Sequence, residues 1–142
     1  MPMFAQHSRE QLRRMYLEAW RKFGAQQPLE PLEEQIAAVI GEHREYLPVL
    51  ESPEALEAQF TPEAGRQNPF LHMSLHLAIR EQVATDRPAG IARVHHDLTA
   101  RLGSAHAAEH AMLEPLAEAL WEAQRAGRMP DEHRYLERLR SL

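Results

Sequence analysis

Apolar residues recur at three- and four-residue steps along most of the chain, the spacing of one face of an α-helix. Behind Ser8-Arg9-Glu10-Gln11, which has the form of a capping box, Leu12, Met15, Tyr16, Ala19 and Phe23 make the first such face and Gly24 its stop. After a loop through Leu29, Pro31 fits a first helical turn, and Leu32, Ile36, Val39, Ile40 and His43 carry a second helix up to Pro48. Ser52-Pro53, Thr61-Pro62 and Asn68-Pro69 each set a capping side chain before a proline suited to the first helical position. The first two predict single turns or a short helix through Leu56 and Phe60, and the third opens a helix from Phe70 to about Ala84. The break Asp86-Arg87-Pro88-Ala89-Gly90 precedes a fourth helix carried by Ile91, Val94, His95, Leu98 and Leu102 and stopped at Gly103. With Ser104 as cap, a fifth helix runs from about Ala105 to Ala126. Its predicted inner side holds Leu113, Leu116, Ala117, Leu120 and Trp121, with Pro115 on the opposite face and a kink there. Pro130-Asp131-Glu132 begins a last helix with Tyr135, Leu136, Leu139 and Leu142. No strand-period alternation and no Gly-rich phosphate loop interrupts this pattern. The expectation is an all-α fold, an antiparallel helical bundle of about five to six helices forming a single domain over residues 1–142.

Composition narrows the chemistry. At 142 residues, 44% hydrophobic and 26% charged, the chain has the make-up of one water-soluble domain. There is no cysteine, which excludes disulfides, thiolate metal sites and cysteine nucleophiles, so any metal is held by nitrogen or oxygen. A net charge of −5 argues against a nucleic-acid partner, which needs a basic face to displace phosphate counterions. The densest basic stretch, Arg13, Arg14, Arg21 and Lys22, is interrupted by Glu18 and has the pattern of the solvated side of the first helix. No apolar run approaches the roughly 20 residues of a membrane span, and Met1 to Gln6 lack the features of a signal peptide. The expected location is cytoplasmic, with no membrane partner.

The nine histidines are the unusual feature. At about 100° per residue, His72 and His76 share a helix face with Ile79 and Val83. His43 continues the series Ile36, Val39, Ile40, and His106 and His110 align with Leu113, Ala117, Leu120 and Trp121. His95 follows Ile91, in register with Val94 and Leu98, whereas His96 points outward, as do His7 and His133. Two of the inward groups have the spacing H-x3-H, His72 with His76 and His106 with His110, which sets two imidazoles roughly 6 Å apart and lets both ligate one ion. Several imidazoles in one interior each require a donor and an acceptor partner, and a bound cation meets that requirement directly. The predicted metal ligands are therefore His43, His72, His76, His106 and His110, with His95 a second-tier member. Glu109, about 60° to one side of His106, and Glu114, one turn past His110, are candidate ligands or acceptors for a histidine N–H, as well as ordinary solvated charges. Arg80 extends the His72/His76 line by one turn and could pair with an inward carboxylate.

The run Asn68-Pro69-Phe70-Leu71-His72-Met73-Ser74-Leu75-His76-Leu77-Ala78-Ile79-Arg80-Glu81-Gln82-Val83 carries a resemblance. So do the stretch from Leu12-Arg13-Arg14 to Glu18-Ala19-Trp20-Arg21-Lys22 and the later Leu120-Trp121-Glu122-Ala123-Gln124-Arg125. Together these resemble a family of small soluble bacterial proteins, the domain of unknown function numbered 1841. That resemblance implies no activity and carries over no catalytic residue. In architecture the chain is also similar to hemerythrin-like bundles, which bind two irons through histidines and bridging carboxylates, and to DinB-like bundles with a three-histidine mononuclear site. The shortage of inward carboxylates at H-x3-E spacing departs from the two-iron pattern.

The implied cofactor is a divalent transition metal, non-haem iron first and zinc next; haem is excluded because H-x3-H places both ligands on one side of the metal. The function expected is metal binding with a role in oxygen or redox sensing or in metal handling. The competing reading is a non-catalytic interaction protein, with a homodimer or protein partner, whose buried histidines form a structural or pH-responsive cluster. An enzyme in the narrow sense has the least support, since no nucleophile motif is present.

Overall fold

The computed structural model describes residues 9–58, 60 and 68–142. Among the described residues there are α-helices and one 3-10 turn but no strand, so the all-α expectation holds. The chain divides into two compact units, one through Met73 and one from Ser74 to Leu142.

In the first unit, α1 (Arg9–Gly24) packs against α2 (Pro31–Gly41). Pro31 opens α2 where no backbone donor is needed, and Glu30 and Glu33 cap its start reciprocally. Tyr16, Ala19, Ile36, Val39, Ile40 and Phe70 are buried together in this unit's core, and Tyr16 meets Phe70 edge-on at 5.8 Å. The buried face of α1 differs from the predicted one. Leu12, Met15 and Phe23 are exposed, whereas Arg13, expected on the solvated side, is fully buried. Its guanidinium lies over the Phe70 ring at 4.8 Å, and its Nη1 donates to the carbonyls of Ala55 (3.1 Å), Leu56 (3.3 Å) and Ala58 (2.8 Å). These acceptors come from a distant turn, which helical periodicity does not register. The predicted Ser8 cap and Thr61-Pro62 turn lie outside the described residues.

The second helix is shorter than predicted. It ends at Gly41, and His43 has the non-helical φ −128°, ψ 55°. A 3-10 turn (Arg44–Tyr46) and the four-residue α3 (Leu47–Leu50) follow, with Pro48 in the first turn of α3 where its missing donor costs nothing. Seven α-helices among the described residues therefore replace the expected five to six.

α4 (Pro69–Thr85) opens under an Asn68 cap, whose Oδ1 accepts from Leu71 N at 3.2 Å, and from Ser74 onward it belongs to the second unit. There it is followed by α5 (Ile91–Leu102), α6 (Ala105–Ala126) and α7 (Glu132–Arg140). Gly103, at φ +92°, closes α5, and Ser104 Oγ accepts from Ala107 N to open α6, both as the sequence predicts. The core joins Ile79, Ile91, Val94, Leu98, Met112, Leu116, Tyr135 and Leu139. On α6 the inner face is turned from the predicted stripe. Ala108, Met112, Leu113, Pro115, Leu116 and Ala119 are buried, while Leu120 (44%) and Trp121 (56%) are exposed. Leu113 and Leu116 belong to both arcs, and Ala108 and Ala119 join the core on the side that is used.

Candidate metal centre

Each unit holds a group of histidines. In the first, loss of helical geometry after Gly41 does not expel His43. Its ring is buried because Nδ1–H donates to the Val39 carbonyl at 2.8 Å. The Tyr46 ring stacks on it at 5.6 Å with an interplanar angle of 3°, and the half-buried His72 ring meets it edge-on at 5.2 Å. Tyr46 also meets His72, at 5.8 Å. Burial, and then the charge of Glu45, pushes the Tyr46 phenol up, so it stays protonated. Tyr46 was not among the predicted site residues; its place three residues after His43 was the available signal.

The second unit brings together His76 from α4 with His106 and His110 from α6. Ring centroids are 5.2 Å apart for His76–His106, 5.7 Å for His76–His110 and 6.2 Å for His106–His110. His76 is fully buried, whereas His106 and His110 are exposed. This differs from the inward placement expected of both, because the buried arc of α6 is turned from the predicted one and leaves both positions outside it. The same rotation carries Glu109 inward, to 6% exposure. Its Oε1 accepts from His76 Nδ1 at 2.5 Å, and Arg80 Nε donates to both carboxylate oxygens at 3.0 Å. Burial pushes the Glu109 carboxyl up, but the hydrogen bonds from His76 and Arg80 and the Arg80 charge outweigh it. The group therefore sits below the usual glutamate range and is ionised.

The remaining candidates stand apart. His95 is partly buried on α5, and His96 beside it is exposed. Glu114 is exposed on α6, and His133 is exposed and paired with Glu137 on α7. No helix is long and apolar enough to cross a membrane among the described residues.

Comparison with curated proteins and with solved structures gives no match, and the likeness to hemerythrin-like and DinB-like bundles is not confirmed. A family model described as Domain of unknown function (DUF1841) matches residues 8–141, a span that takes in all of these histidines except His7. The chain belongs to that family.

Proposed function

We propose that the protein binds a divalent transition metal ion through imidazole nitrogen, with His76, His106 and His110 as ligands in the second unit. The observation that supports this is the convergence of three imidazoles from two helices, with centroids 5.2 to 6.2 Å apart. Three imidazoles on one ion, at nitrogen–metal distances of about 2.0–2.1 Å, have centroids roughly 5 Å apart, close to the spacing of these rings. Three neutral nitrogen ligands leave a position for water or an exogenous ligand. Iron is the first candidate and zinc the next. With iron, an open position gives oxygen or redox sensing a chemical basis; with zinc, the reading is metal handling. Glu109 is already engaged by His76 and Arg80, which favours a mononuclear site over a carboxylate-bridged pair of irons.

A second reading has its own support. Both fully buried histidines, His43 and His76, already have a protein partner for Nδ1, as in a hydrogen-bonded cluster serving stability alone. Elemental analysis of protein purified without a histidine tag separates the two. Near-stoichiometric metal that is lost in a His76→Ala, His110→Ala variant and kept in His96→Ala supports the site. Single variants of His43 and His72 test the first unit's pair. Metal-free protein that gains no stability from iron, zinc, copper, nickel or manganese supports the cluster instead.

A further inference from the structure

Glu109 holds a position that a ligand and a positioning group would use differently. A carboxylate offers about four lone-pair directions on two oxygens. Here Oε1 accepts from His76 Nδ1 and from Arg80 Nε, and Oε2 accepts from Arg80 Nε. The arrangement has a fixed polarity. Arg80 donates to both oxygens, so the carboxylate is ionised and acceptor-only, and the proton shared with His76 belongs to Nδ1. The ring's lone-pair nitrogen is then Nε2. His43 has the same polarity within its own unit, where a backbone carbonyl can only accept and Nδ1 must donate to Val39. Glu109 is also tied to a different element from His76: the carboxylate rides on α6 and the imidazole on α4, so the contact fixes the ring against the helix that carries His106 and His110.

We infer that Glu109, anchored by Arg80, is a positioning residue and not a ligand: it fixes His76 in the Nδ1–H tautomer and makes Nε2 the atom that binds metal. The inference rests on the metal reading above and adds to it which nitrogen binds and what orients it. A carboxylate behind a metal-bound imidazole raises the ring's basicity, and loss of such partners typically costs about 10- to 100-fold in metal affinity.

The test has two arms. Long-range proton–nitrogen NMR on the metal-free protein reads the His76 tautomer without any metal. Wild type is expected to carry the proton on Nδ1, Glu109→Ala to show a tautomer mixture, and Glu109→Gln, whose amide oxygen still accepts, to recover Nδ1–H. Titration with zinc then reads affinity, with Glu109→Gln expected about 10- to 100-fold weaker and still saturating. A wild-type His76 protonated on Nε2 overturns the inference, as does a Glu109→Gln protein that binds zinc as tightly as wild type. Complete loss of zinc binding in a folded Glu109→Gln protein makes Glu109 a ligand and overturns it too. Wild-type protein that takes up no zinc, iron, copper, nickel or manganese contradicts the metal reading instead, and the tautomer arm still decides the orientation of His76.

Discussion

Among the described residues, Glu109 and Arg13 are the buried acidic and basic side chains whose surroundings define what single groups do in this protein. Because the Glu109 carboxyl is held below its unfolded value of about 4.3, its contribution is fully present above that value and lost as pH falls through the lower folded one. In metal-free protein the gap in melting temperature between wild type and Glu109→Gln is therefore expected to shrink as pH falls below about 4.3; a gap that stays constant or widens there would contradict this. Arg13 tests a different balance. Its Nη1 holds three carbonyls, but Nε and Nη2 are buried without a partner among the described residues. Arg13→Ala is expected to cost about 2–3 kcal/mol by urea denaturation, since it strands the three carbonyls and leaves a void. Arg13→Met, which strands the same carbonyls but fills the space and removes the poorly paired charge, is expected to cost less than Arg13→Ala. The sequence offered Glu109 as one of two candidate acceptors for a histidine N–H and Arg80 as a partner for an inward carboxylate, but it did not identify the role of Arg13. A burial pattern read along one helix treats an arginine between apolar residues as solvated, because its acceptors lie more than forty residues away. Nor could it tell which of the glutamates beside the histidines had turned inward.

Among the elements, the boundaries set by local chemistry were the legible ones. Asn68 before Pro69, Gly103 and Ser104 between α5 and α6, and Asp131 before α7 act through backbone groups within three or four residues, so the sequence around them contains the whole interaction. Rotation about a helix axis was less legible. On α6 two apolar arcs overlap at Leu113 and Leu116, and the choice between them is made by the packing partners, which the periodicity of one helix does not contain. Mutational cost distinguishes the arcs. Met112→Ala, on the buried arc, is expected to cost about 2–4 kcal/mol, and Leu120→Ala, on the arc the periodicity favoured, under about 1 kcal/mol. Equal costs in chemical denaturation would place the inner face of α6 elsewhere. The end of α2 was illegible for a related reason: apolar spacing continues through His43, but the backbone leaves helical geometry at that residue while a hydrogen bond to Val39 keeps the ring inside.

At the scale of the whole molecule, the all-α class was accessible from periodicity alone, whereas the shared interior expected for the histidines was not found for His106 and His110, which are exposed. The division into two units was not accessible from periodicity, because the boundary between Met73 and Ser74 falls inside the continuous helix α4 and leaves no loop, glycine or proline to mark it. Metal binding makes a prediction at this scale as well. An ion bound only by the folded chain stabilises it by mass action, about 2.7 kcal/mol at a free concentration one hundred times Kd. Saturating metal is expected to raise the melting temperature, and a chelator to reverse the shift. The central claim is that imidazole nitrogens hold the ion, and the most direct test is X-ray absorption at the edge of the bound metal. The account predicts a first shell at about 2.0–2.1 Å with the outer-shell scattering of imidazole rings, reduced in His76→Ala and His110→Ala. A shell of oxygen neighbours with no ring scattering would contradict it.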